Sequence, residues 1–137
     1  MSDTKEAPIQ IQILAAKEEA GATAHAVATA LKHHEQLAAV ARQHGAEALL
    51  VCPAPEGYVE DGFNLVVAIR FEEELDEETA LVRRTDLAVA MKHVLGVRTG
   101  SLDLDNLGGF IRHIAPLLAT PYRNEIGPRR SSVYRDA

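Results

Sequence analysis

The sequence predicts one α/β domain in which helices cover a small mixed sheet of three or four strands. Long alanine-rich and leucine-rich segments alternate with short runs of Val, Ile and Leu, and glycine or proline residues separate them. The chain has 137 residues, of which 47% are hydrophobic, so residues 1–137 are expected to form a single domain with one core. Only 4% of the residues are aromatic, which leaves that core to aliphatic side chains and alanine.

The N-terminal third of the chain favours helix. Residues 9–14, with the sequence IQIQIL, alternate apolar and polar side chains, which suits either a short strand or the lead-in to a helix. Residues 15–44 are rich in alanine and are interrupted only by Gly21, so they predict one or two helices, with Gly45 as a C-terminal cap. The apolar side of this segment is expected to consist of Val27, Leu31, Leu37 and Val40.

Three apolar runs predict strands at residues 47–51, 64–70 and 98–104. The second run is apolar at consecutive positions, and a strand that is apolar on both faces is usually central in its sheet. Residues 52–62, between the first two runs, are rich in proline, glycine and acidic residues and predict a loop.

Two further helices are predicted over residues 77–95 and 106–118. Asp76 is a suitable N-terminal cap for the first helix, and Gly96 is a suitable end. Asp105 or the residue after it is expected to cap the second helix. The first helix is expected to bury Leu81, Leu87, Ala88, Met91, Val94 and Leu95.

The charge and the cysteine content narrow the classes of function. The formal net charge is −6, so binding to nucleic acid through broad phosphate contacts is not expected. Cys52 is the single cysteine and cannot form an internal disulfide, which suits a reducing compartment. No apolar run reaches membrane-spanning length. The expected location is therefore the cytoplasm. Residues 124–137 are mildly basic and are expected to form a flexible tail.

Two segments carry the order of elements in the rest of the chain. A strand, a loop and a second strand are predicted by the segment HGAEALLVCPAPEGYVEDGFNLVVAIRFEEE. A helix, a strand and the start of a last helix are predicted by DLAVAMKHVLGVRTGSLDLDNLGGFIRHI, and Tyr122 follows shortly after it. This order resembles the minimal nucleotidyltransferase family of the polymerase-beta-like superfamily over about residues 36–123. The resemblance implies a nucleotidyltransferase-like fold, in which Tyr122 falls near the family's closing tyrosine.

The catalytic motifs of that family fall on residues of other types. Set along the family pattern, the Gly-Ser pair falls on Val51 and Cys52, the Asp-x-Asp acids fall on Gly62 and Asn64, and the third acid falls at about Gly100. Nucleotidyl transfer needs divalent metal ions that are held by carboxylate oxygens. The resemblance therefore implies a catalytically inactive member with no catalytic, cofactor-binding or metal-binding residues.

Other acids could hold a displaced metal ion. Three of them lie in the predicted loop, namely Glu56, Glu60 and Asp61. Asp103 and Asp105 are two residues apart and share one face if the third strand continues through both. However, Asp105 is better explained as a helix cap, a role for which its neighbour Asn106 is the alternative. Acids in loops are ordinarily solvated.

The histidines and the cysteine indicate no site. No two histidines form a His-x-x-x-His pair, and a zinc site with a second cysteine is excluded. Cys52 lies at a strand end without a recognisable base, which favours a small buried apolar residue over a nucleophile. The six histidines are His25, His33, His34, His44, His93 and His113.

The favoured function is that of a pseudoenzyme used as a protein-interaction module. The resemblance implies a helical partner of the HEPN type, with the chain in the role of the antitoxin. Two alternatives stay open: an active nucleotidyltransferase with relocated metal ligands, and an unrelated small α/β domain that binds a ligand. Because the core is thin and alanine is abundant, a homodimer is also expected, with part of residues 15–44 in its interface.

Overall fold

A computed structural model describes residues 8–129 of the chain. Within this range the chain forms a four-stranded sheet with the strand order β1-β2-β3-β4. Strand β1 pairs with β2 in parallel, β2 pairs with β3 in antiparallel, and β3 pairs with β4 in parallel. The strands are β1 (Gln10–Ile13), β2 (Ala46–Pro53), β3 (Leu65–Phe71) and β4 (Thr99–Asp103).

Helices make the crossovers that the two parallel pairs require. Between β1 and β2 the chain forms a 3₁₀ turn and two helices, and between β3 and β4 it forms one long helix. The antiparallel β2–β3 connection contains a single short helix, and a last short helix follows β4. The helices are α1 (Ala22–Lys32), α2 (His34–Gln43), α3 (Glu56–Glu60), α4 (Glu77–Leu95) and α5 (Phe110–Ile114), the last continued by a 3₁₀ turn at Ala115–Leu117.

The sheet separates two apolar clusters. Strands β2 and β3 are buried at every residue, and their side chains alternate between the two faces. Leu49 and Val67 belong to the cluster on the face that α1, α2 and α4 cover. Leu50 and Val66 belong to the cluster on the opposite face, which α5 and the C-terminal segment cover. The small mixed α/β sheet covered by helices is therefore confirmed.

Most of the predicted elements are confirmed. Residues 9–14 contain a strand, which settles the choice that the sequence leaves open. β3 has neighbours on both sides, as expected for a strand that is apolar on both faces. The Asp76 side chain accepts a hydrogen bond from the Thr79 amide at 2.7 Å, and Gly96 ends α4 in a left-handed conformation. The residues from 15 to 44 form two helices that meet at His33.

The predicted helix over residues 106–118 is wrong in its first turn. Helix α5 begins only at Phe110, and its N-terminal cap, Gly109, makes no side-chain hydrogen bond. The reason is local, because Gly108 adopts a φ of 57° and two consecutive glycines disfavour a helical turn. Asp105 does not cap this helix, because its carboxylate bonds to arginine side chains.

Two leucines expected in the core are exposed. Leu31 is 52% exposed and Leu81 is 55% exposed, although both belong to helices that pack on the sheet. The alanines of α1 and α2 explain part of this result. Ala26, Ala30 and Ala41 are completely buried, so the small side chains bring the helices close to the sheet and leave Leu31 at the margin.

Part of the expected C-terminal tail packs on the sheet. The Gln12 side chain donates to the Arg123 carbonyl oxygen at 2.6 Å and accepts from the Glu125 amide at 3.0 Å. Ile126 is buried in the second apolar cluster, and the Gly127 carbonyl oxygen accepts from the Arg70 guanidinium at 2.8 Å. Residues 124–129 therefore do not begin a flexible tail, and the rest of the expected tail, residues 130–137, lies outside the described residues.

Candidate functional site

The positions that the resemblance assigns to metal-binding acids lie close together. The Asn64 amide donates to the Arg98 carbonyl oxygen at 3.0 Å, and the Arg98 guanidinium lies 3.1 Å from the point where a side chain on Gly62 would begin. Gly100 lies under Tyr58, whose ring is 3.5 Å from the corresponding point. All three positions therefore surround one corner of the sheet, at the start of β3 and β4.

Two rings and a cation fill that corner. Tyr58 and Phe63 meet edge to face with their ring centroids 6.3 Å apart, and the Arg98 guanidinium lies 4.5 Å from the Phe63 centroid. Arg98 also donates to the Asp61 carbonyl oxygen at 3.0 Å. A cation over an aromatic ring is a favourable arrangement by itself, and its charge repels a divalent metal ion. The chemistry of this corner therefore suits packing better than metal binding.

The positions of the Gly-Ser pair lie inside the sheet. Val51 pairs with Ile13 on one side and with Val67 on the other, and it is completely buried. Cys52 is also completely buried, and burial raises the pKa of its thiol from 9.0 to about 12. The thiol is therefore protonated near neutral pH, when a nucleophilic cysteine would need to be a thiolate.

The remaining acids do not converge. The loop acids Glu56, Glu60 and Asp61 are exposed on α3 and at its end. The Asp103 carboxylate accepts from the Asp105 amide at 3.0 Å, whereas the Asp105 carboxylate faces arginine side chains. Among residues 8–129, no three histidine, cysteine or acidic side chains are grouped so that they could hold a metal ion.

Two of the histidines hydrogen-bond to helix carbonyl groups. The Nδ1 atoms of His33 and His44 each lie 3.0 Å from the carbonyl oxygen four residues earlier, at the C-terminal ends of α1 and α2. Each of these carbonyl groups also accepts from the backbone amide of the same histidine, so the ring adds a second contact at the helix end. The other four histidines, which are exposed, are His25, His34, His93 and His113.

The outward side of α4 carries three large exposed aliphatic residues. Leu81, Val82 and Val89 are 55%, 56% and 51% exposed, respectively. With Thr85 they form one continuous surface, because residues three, four or seven apart lie on the same side of a helix. We name these four residues the α4 face. The buried side of α4 is formed by Leu87, Ala88, Met91 and Leu95.

The α4 face continues into a groove beside strand β4. This groove has a volume of about 360 Å³ and its lining includes Phe63, Val89, Lys92 and Ser101. Strand β4 is an edge strand, and the Leu104 amide donates to Ile69 of β3 at 3.0 Å. Backbone groups alternate in direction along a strand, so those of Ser101 turn away from β3 toward the open side.

Opposite charges mark the two ends of α4. Its first turn contains Glu77 and Glu78, and its last turn contains Lys92 and His93. The charges of Glu77, Glu78 and Lys92 also have a favourable sign for the helix dipole at their ends. The α4 face therefore lies between an acidic and a basic end of the helix.

No helix among the described residues combines the length and the apolar character needed to span a membrane. Comparisons of the chain with protein families, with curated proteins and with solved structures found no match.

Proposed function

We propose that this protein is a catalytically inactive, nucleotidyltransferase-like interaction module that binds a helical protein through the α4 face. The observation that carries the proposal is the exposure of Leu81, Val82 and Val89, each more than half exposed, on one side of a single helix. A contiguous apolar surface of this kind is typical of sites of protein association. The partner suggested by the family resemblance is a helical protein of the HEPN type.

A helix with its own apolar stripe fits this surface. In such an arrangement the partner presents residues at helical spacing, which pack between the exposed side chains of α4. Full burial of a Leu or Val side chain contributes about 1.5–3 kcal/mol, so burial of the exposed half of each residue contributes about 1 kcal/mol. The three residues can therefore supply a substantial share of the free energy of a moderate-affinity complex.

The charges of α4 also favour one orientation of the partner. Glu77 and Glu78 attract a basic segment, whereas Lys92 attracts an acidic one. A partner helix with basic residues at one end and acidic residues at the other is thus held in a single direction. Such exposed charges contribute more to the specificity and the rate of association than to affinity.

Coexpression tests the proposal. The chain is produced together with helical proteins encoded in its gene neighbourhood, and complexes are measured by light scattering after size-exclusion chromatography. We expect a stable complex for the wild-type chain and its loss for the double variant Leu81→Glu, Val89→Glu. Val59→Glu is the matched control, because Val59 is 44% exposed but lies on α3. A complex that survives the α4 double variant and is lost in the α3 variant would place the interface elsewhere.

A further inference from the structure

The outer edge of β1 is only partly occupied. The Leu14 amide donates to the Val51 carbonyl oxygen at 2.9 Å, so even-numbered residues turn their backbone groups toward β2 and odd-numbered residues turn theirs outward. Beyond the strand, the outward groups of Ala15 and Lys17 bond to residues 117–119. Within residues 8–129, the outward groups of Ile11 have no such neighbour.

Both ends of this open edge are defined. At one end, Ile9 is the first described residue whose backbone groups turn outward, because Pro8 before it is even-numbered. At the other end, the Lys17 amide donates to the Leu117 carbonyl oxygen at 2.8 Å, and the Ala119 amide donates to the Ala15 carbonyl oxygen at 2.9 Å. Residues 9–13 are therefore the segment that can pair with another strand.

A groove lies along this segment. It has a volume of about 610 Å³ and is bounded by Leu31 and His34 on the helical side and by residues 120–123 on the other side. Leu31 is 52% exposed on α1, and α1 covers the face of the sheet toward which Ile11 and Ile13 point. An added strand would therefore cover both the open backbone groups and an exposed leucine.

We propose that a second copy of this chain occupies the groove, with the two β1 strands paired in antiparallel across a twofold axis. The sequence of residues 9–13 is IQIQI, which reads the same in both directions. Antiparallel pairing centred on Ile11 places isoleucine opposite isoleucine on one face and glutamine opposite glutamine on the other. Such self-complementarity is what an interface between identical copies requires.

The hydrogen-bonding pattern agrees with this centre. In the pairing, Ile11 faces Ile11 of the other copy and Ile9 faces Ile13, so the hydrogen-bonded pairs consist of outward-directed residues. These pairs can exchange about six backbone hydrogen bonds. The segment also lacks the charged residues with which edge strands usually prevent association. The resulting dimer has one continuous sheet, with the α4 faces at its two far ends.

Measurement of mass with groove variants tests the dimer. We expect light scattering at about 100 µM, a concentration above the micromolar Kd of a small interface, to give twice the 14.8 kDa of the chain. Leu31→Lys should raise the Kd at least tenfold, because it places a charge against the second copy. Leu81→Lys is the matched control, equally exposed but on α4, and should leave the mass unchanged.

A second variant tests the backbone pairing itself. Ile11→Pro removes one outward amide hydrogen and keeps the bonds between β1 and β2, so it should give a folded monomer with a cooperative thermal transition. A monomeric wild-type chain at about 100 µM would refute the dimer. A dimer that Leu81→Lys dissociates and Leu31→Lys does not would place self-association on α4 instead. A monomeric chain leaves the binding of a helical partner untouched, whereas self-association on α4 would occupy the surface proposed for that partner.

Discussion

Asp105 joins two arginines that are distant from it in the sequence. Its carboxylate accepts from Arg70 Nε at 2.9 Å and from Arg129 Nη2 at 3.1 Å, and Arg129 also donates to the Phe71 carbonyl oxygen. Arg70 is only 8% exposed and depends on this partner, on Glu47 and on the Gly127 carbonyl oxygen. Asp105 therefore fixes the C-terminal segment to the end of β3.

Removal of this carboxylate should destabilise the protein. We expect Asp105→Ala to lower the free energy of unfolding by about 2 kcal/mol, because it leaves a buried guanidinium without its main partner. The loss is smaller than for a fully buried pair because the Asp105 side chain is 38% exposed. Urea unfolding measures the change. Asp86→Ala, in an exposed residue of α4, is the control and should stay within about 0.5 kcal/mol of the wild type.

Cys52 should make stability depend on pH in the alkaline range. The pKa of the thiol is raised by burial to about 12 in the folded state, against 9.0 for the ordinary group. Below about pH 9 the folded and the unfolded state both keep the thiol proton. Between about pH 9 and about pH 12 only the unfolded state loses it. Stability is therefore complete below about pH 9 and falls as the pH rises, by up to about 1.4 kcal/mol per pH unit.

The matching measurement compares two chains at two pH values. Between about pH 8 and about pH 10, the free energy of unfolding of the wild type should fall by roughly 1 kcal/mol more than that of Cys52→Ala, which has no thiol. The comparison cancels the contributions of lysines and of tyrosines that do not interact with Cys52; the pKa of Tyr122 is raised by burial and in addition by Cys52. Equal pH dependence in the two chains would show that the buried thiol does not keep its proton.

Helix ends show that local signals predict elements well. Asp76 and Gly96 were predicted to bound α4 and do so, because capping depends on residues within one turn of the helix end. The interruption at Gly108 was missed because an aspartate followed by an apolar run is also a typical helix start. Side-chain roles were harder to predict, because the exposure of Leu81 depends on where the sheet lies.

Gly96 and Gly57 form a matched test of backbone conformation. Neither has an atom within 4 Å of the place where an added methyl group would lie, but only Gly96 has a positive φ, of 74°. We expect Gly96→Ala to cost about 1 kcal/mol through strain in the left-handed conformation. Gly57→Ala, within α3, should be neutral or stabilising because alanine favours helix. Thermal unfolding of the two variants separates conformation from packing, and equal effects would contradict this explanation.

At the scale of the whole molecule, the sequence could predict the sheet but not its edges. Apolar periodicity identifies strands because it reflects burial, whereas the strand order depends on pairings between residues far apart in the chain. The groove beside β1 exists because residues 117–119 return to the end of that strand and then leave it. The α4 face, at the opposite end of the sheet, likewise depends on β4 being an edge strand.

The last prediction concerns activity, and it depends on the corner around Arg98. We expect no nucleotidyl transfer from any radiolabelled nucleoside triphosphate, with magnesium or manganese, to candidate acceptors.

A site for two metal ions needs several carboxylates together, so Asn64→Asp alone should not create activity. Addition of the other acids should not create it either. Gly62 has a φ of 90° beside the Arg98 guanidinium, so an aspartate there is strained, and an aspartate at Gly100 would lie against the Tyr58 and Phe63 rings. Metal-dependent transfer that is lost in the double variant Asp103→Asn, Asp105→Asn would contradict the prediction. The asparagines are chosen because they keep the shape of side chains on which folding depends, so such a loss would identify these two acids as the metal ligands.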